Sequence, residues 1–135
     1  MGVVKIVQQK ADLLAARSGR PVTISAVSAR SKSKNRDVDI SGYAWEDDPV
    51  ALATRDDVDV FVELVGGDEG PAKDAVEAAI AAGKDVVTAN KAMLAHHGQA
   101  LAEAAEAAGR VIRFEAAVAG GIPVIKALTE GLAGN

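Results

Sequence analysis

Apolar residues at Val3, Ile6, Val7, Ala11 and Leu14 recur at helical spacing, and Gly19-Arg20-Pro21 ends that run before residues 22–28, which read as a strand. The chain therefore opens on a helix. Residues 29–45 form a polar, glycine-containing connection, and a short helix is predicted over 48–54 with Asp48 as its cap and Pro49 at its first position. Residues 58–65 are apolar enough for a strand buried on both faces; they end in Gly66-Gly67 and lead into a helix over 71–82 that Gly83 closes. A strand over 85–88 follows, then a helix over 92–108 with Leu94, Leu101, Ala105 and Ala108 on one face before Gly109. Residues 111–117 read as another strand, and 122–132 as a last helix with Pro123 in its first turn. Alternation of this kind predicts an α/β fold, doubly wound, with mostly parallel strands and helices on both faces.

Length and composition narrow the function. With 135 residues the chain is one average domain, able to bury roughly two thirds of its unfolded surface. Its 49% apolar content owes much to alanine and only 3% is aromatic, which favours helices packed closely on a sheet. The net charge of −4 gives no global reason to bind nucleic acid. With no cysteine, disulfides and thiolate metal sites are excluded. No apolar run approaches the ~20 residues of a membrane span, and the amino terminus lacks a signal-peptide layout, so a cytoplasmic protein is expected.

Candidate chemistry gathers at strand ends. The run DVVTANK at 85–91 delivers Asn90 and Lys91 at the carboxyl end of a strand, where open α/β sheets bind ligands. A solvated lysine in a strand-to-helix loop would give the same pattern. Gly66 and Gly67 lie at the same sheet edge, where backbone could pass close to a bound ligand, although a simple turn also needs such a pair. In FEAAVAGGIP at 114–123, paired glycines leave backbone groups uncovered. The acids Asp68 and Glu69 are expected to point into solvent. His96 and His97 are adjacent on a helix, about 100° apart, so they form no i, i+4 metal pair and at most one faces the core.

A dinucleotide-binding fold of the Rossmann type normally opens with a strand and a G-x-G-x-x-G turn. Only Gly2 stands before the first helix, so it reads as the last glycine of such a fingerprint, and the chain reads as a nucleotide-binding domain that begins after its first strand. Loss of that strand would leave edges that invite pairing with another chain. Residues 30–36 (RSKSKNR) place four cations directly after the strand at 22–28, the second strand of a complete fold of this type. No acid ends that strand, which favours NADP over NAD, with Arg30 the foremost 2′-phosphate contact and Lys32 or Lys34 in support. The alternative is a solvated basic loop.

Four blocks carry a family resemblance: VSAR at 27–30, VELVGG at 62–67, VVTANKAMLAHHG at 86–98 and FEAAVAGGIPVIKALTEGLAGN at 114–135. In order and spacing the chain resembles the nucleotide-binding domain of homoserine dehydrogenase. The resemblance implies NAD(P)-dependent interconversion of L-homoserine and L-aspartate 4-semialdehyde, a route to threonine and methionine, by a parent enzyme that is a homo-oligomer. It also implies that Lys91 lies beside nicotinamide and substrate as the catalytic lysine, and that Glu115, Val118, Gly120 and Ile122 bind a structural sodium ion largely through carbonyls. On this reading residues 1–135 are a fragment, inactive alone, and 123–135 begin the connection to a substrate domain that carries further catalytic groups. Lys126 reads as a surface position and a poor substitute for them. Alternatives are another Rossmann oxidoreductase such as aspartate-semialdehyde dehydrogenase, whose nucleophilic cysteine is absent from this chain, or a non-catalytic nucleotide-binding module.

Overall fold

The computed structural model describes residues 2–118 and 122–131 and divides into two compact units, 1–48 and 49–135. In the first unit, α1 (Gly2–Gln9) and α2 (Ala11–Ser18) replace the single predicted helix. The break falls at Lys10, whose backbone leaves helical geometry at φ −124°, yet hydrogen bonds from Lys10 N to Ile6 O and from Leu14 N to Lys10 O run across it. Val4 is the one buried residue of α1, while Val3 and Ile6 are exposed, so the inward stripe is rotated from the one the spacing suggested. Gly19, at φ +75°, closes α2 with a bond from its N–H to Ala15 O.

Two short strands complete this unit. β1 (Ala26–Ser28) pairs in parallel with β2 (Ala44–Glu46), Val27 opposite Trp45. The second strand lies at the end of a segment expected to be connection only. It carries a single large ring between small and charged neighbours, too little for an alternating pattern to show. Gln8 of α1 holds the long loop between them, its side-chain amide donating to Asp39 O and to the Tyr43 hydroxyl. Asp39 also accepts from Ser41 N at 2.9 Å, and that backbone bond, followed by one from the Ser41 side chain, holds its carboxyl below the usual carboxylate range.

The second unit follows the predicted alternation closely. Its elements are α3 (Pro49–Ala53), β3 (Val60–Glu63), α4 (Pro71–Ala81), β4 (Asp85–Thr88), α5 (Lys91–Ala107), β5 (Ile112–Arg113) and α6 (Val124–Gly131). The strands are parallel in the order β3-β4-β5, with Phe61 opposite Val86 and Val86 opposite Ile112. β5 is far shorter than predicted, because residues 115–117 turn into a 3-10 helix. The described part of α6 ends at Gly131, and the predicted terminus at Leu132 lies outside the described residues.

One face of this sheet is covered. α4 packs on β3 and β4, burying Ala75, Val76 and Ala79 completely, with Phe61 and Val86 beneath. The opposite face at β3 is not buried, since Val60 and Val62 are 44% and 38% exposed. Within this unit β3 is therefore a half-buried strand rather than one buried on both faces. In α5 the buried row is Met93, Leu101 and Ala105, with Leu94 only half-buried. That row runs at a spacing of four through His97.

Candidate functional site

The carboxyl ends of β3 and β4 stop side by side, Glu63 opposite Thr88, and the loops that leave them form the site. After β3 the chain turns through Gly66 at φ +84° and Gly67 at φ +90°, backbone geometry that residues with a Cβ adopt only under strain. A Cβ at Gly66 would meet nothing within 4 Å, so the turn itself, not crowding, requires glycine there. After β4 the chain enters α5 through Asn90, which caps the helix by accepting from Met93 N at 3.1 Å.

Asn90 also joins the two loops. Its Nδ2 donates to Gly67 O at 2.6 Å, so both ends of the side-chain amide are engaged by the protein. Asn90→Ala removes the cap and the link together and is expected to cost about 2–3 kcal/mol. Asn90→Asp keeps the cap but sets an acceptor against the Gly67 carbonyl, so it is expected to restore only part of that loss. Urea unfolding of the three proteins checks this, and an Asp variant as stable as the parent would show that the Gly67 contact contributes nothing.

Beneath Asn90 lies a buried polar group that sequence reasoning passed over. Glu63 is 1% exposed and Thr88 is 1% exposed. Glu63 Oε1 accepts from Val65 N at 2.6 Å and Gly66 N at 3.0 Å, while Oε2 accepts from Thr88 Oγ1 at 2.6 Å. Thr88 Oγ1 in turn accepts from Asn90 N at 3.0 Å. The available signal was an acid in the middle of an apolar strand, where a charge survives burial only if paired or hydrogen-bonded.

Lys91 is the first residue of α5 and is exposed. Its side chain makes no hydrogen bond or ion pair with the described residues, and it lines a cavity together with Leu94, Gly98, Phe114 and Val118. In the loop after β3, Asp68 and Glu69 are exposed as expected but face the two histidines of α5. His96 Nε2 lies 3.7 Å from Asp68 and His97 Nε2 lies 2.7 Å from Glu69, the latter too bent for a hydrogen bond. His97 is the more sheltered of the pair, at 25% side-chain exposure against 65% for His96.

In the first unit the basic loop divides its labour. Arg36 donates to the carbonyls of Ser31, Lys32 and Lys34 and so shapes the loop from within. Lys32 Nζ and the Arg36 guanidinium lie 5.8 and 5.7 Å from the centre of the Trp45 ring, within cation–π range. Arg30 is exposed and makes no hydrogen bond or ion pair with the described residues. Gly2 begins α1, with open space where a Cβ would stand.

Of the expected sodium ligands, Glu115, Val118 and Ile122 are among the described residues. The Glu115 carboxylate accepts from Ile125 N and Lys126 N at the start of α6. The Glu115 and Ile122 carbonyls accept from Val118 N and Val124 N, Val118 is half-buried, and Gly120 lies outside the described residues. Among the described residues no group of three or more His, Asp or Glu side chains could hold a metal. Lys126 is a surface residue of α6, 3.9 Å from Glu130. Among the described residues no helix is long and apolar enough to cross a membrane.

Comparison with known proteins fits this geometry. Residues 1–115 match the family model described as "Homoserine dehydrogenase, NAD binding domain". The homoserine dehydrogenase of Neisseria gonorrhoeae is 48% identical over 134 residues, covering 99% of this chain and 30% of its own length. That of Corynebacterium glutamicum is 44% identical over 133 residues, covering 98% of this chain and 29% of its own. The crystal structure of a homoserine dehydrogenase from Thiobacillus denitrificans superposes with a TM-score of 0.89 at 40% identity, over 99% of this chain and 31% of that one. The chain thus spans about 30% of the length of the relatives it matches. With a parallel α/β architecture, a glycine turn and a lysine at adjoining strand ends, and a family match over residues 1–115, the chain belongs to the homoserine dehydrogenase family, in its NAD-binding domain.

Proposed function

We propose that this chain is the nicotinamide-nucleotide-binding part of an enzyme that interconverts L-homoserine and L-aspartate 4-semialdehyde, with NADPH preferred over NADH. The observation that carries the reading is Lys91, a cation without protein partners among the described residues, fixed at a strand's carboxyl end by the Asn90 link to the glycine turn. When bound, the nicotinamide supplies or takes the hydride. The Gly66-Gly67 turn offers it a surface without side chains. Lys91 Nζ holds the substrate carboxylate or the oxygen that gains charge as hydride moves, and Asn90 keeps the lysine in place. Arg30, with Lys32 and Lys34 in support, meets the 2′-phosphate, and Gly2 lets the start of α1 approach the pyrophosphate. Residues 123–135 begin the connection to the substrate-binding part, so the isolated chain is expected to show no turnover.

Isothermal titration of the chain with NADPH and NADH tests this. NADPH is expected to bind about tenfold tighter, and Arg30→Ala to abolish the difference while leaving NADH unchanged. A folded chain that binds neither nucleotide, or homoserine oxidation by the chain alone, would overturn the corresponding part of the reading.

A further inference from the structure

We propose that Glu63 is a positioning residue for the bound nucleotide, setting the shape of the glycine turn and, through Thr88 and Asn90, the placement of the start of α5. The proposal rests on the nucleotide-binding reading above and adds to it a residue that does not itself touch the ligand.

An acid in the middle of a buried strand face needs an explanation, because an apolar side chain of similar volume would pack there without desolvating a charge. Here every hydrogen bond to the carboxylate comes from the turn after β3 or from the end of β4. Val65 N and Gly66 N reach one oxygen and the Thr88 hydroxyl reaches the other. The sheet itself uses none of these bonds. Their effect is local: they draw two turn amides inward, so the chain passes through Gly66 and Gly67 with both φ angles positive.

The chain of bonds closes on itself. A hydroxyl has one hydrogen, so Thr88 donates to Glu63 and accepts from Asn90 N. Asn90 then donates to Gly67 O, the residue after the amide that Glu63 holds. Strand end, turn and helix start thus form one ring with Glu63 at its base, and Lys91 follows directly from Asn90.

The test compares the wild-type chain with Thr88→Val, which keeps the shape and loses the hydroxyl, Thr88→Ser, which keeps the hydroxyl, and Glu63→Gln. NADPH affinity, melting temperature and the exchange rates of the Val65 and Gly66 amides are measured on each. Thr88→Val is expected to weaken NADPH binding about tenfold and Thr88→Ser to bind within about twofold of wild type. Glu63→Gln should speed exchange at Val65 and Gly66 while the β4 amides stay protected. If Glu63→Gln does not fold, the two Thr88 variants decide. Variants that melt lower yet bind NADPH as wild type does would make Glu63 a purely structural residue and overturn the proposal alone. A folded wild-type chain that binds no nucleotide would overturn the nucleotide-binding reading and this proposal together.

Discussion

On the function proposed above, Lys91→Ala in the enzyme that carries this domain is expected to lower kcat/KM for homoserine oxidation by about 10²- to 10³-fold, the usual effect of removing one preorganised group that meets developing charge. Stability should move the other way. Lys91 is exposed and stands at the amino end of α5, where the helix dipole disfavours a cation by about 0.3–1 kcal/mol. Alanine removes that penalty and is the better helix former. The variant should therefore melt at or slightly above the wild-type temperature while losing nearly all activity, which separates a functional lysine from a structural one. Steady-state kinetics with a thermal scan decide it, and unchanged kcat/KM would remove Lys91 from the reaction.

Phe61→Ala is expected to destabilise the chain by about 3–5 kcal/mol, a large part of the roughly 5–15 kcal/mol that holds an ordinary domain together. Phe61 is 4% exposed on the covered face of the sheet, in register with fully buried Val86 and beside α4. Its removal leaves a cavity that strands on a fixed hydrogen-bond ladder cannot collapse to fill. Val62→Ala, one residue along and on the opposite face, is expected to cost less than about 1 kcal/mol, because Val62 is 38% exposed. Equal losses in urea unfolding would mean that both faces of β3 are covered in solution.

The contrast between Phe61 and Val62 also marks where sequence reading failed. Residues 58–65 read as a strand buried on both faces because nearly all are apolar, and composition cannot say which faces a neighbour covers. α5 shows a related limit: Leu94 and Met93 are adjacent and both apolar, and only the row shared with Leu101 and Ala105 distinguishes the buried one. Elements with strong local punctuation were legible. Asn90, Gly83 and Pro71 fix the limits of α4, β4 and α5 through capping and backbone geometry that need no tertiary partner. The 3-10 turn at 115–117 was not legible, because Glu115 bonds to amides ten and eleven residues onward. Lys91, Asn90 and the glycine pair were visible as motif residues, whereas Glu63 was visible only as a letter inside one of the matching blocks.

The closed ring of hydrogen bonds through Glu63, Thr88, Asn90 and Gly67 also bears on motion. Two loops that were merely neighbours could open independently, each with its own relaxation rate. Tied through one side-chain amide, they cannot: lifting the glycine turn pulls on Asn90, and Asn90 carries the first turn of α5. The two strand ends should therefore open as a single unit. A relaxation experiment should then find one shared exchange process for Gly66, Gly67 and Lys91.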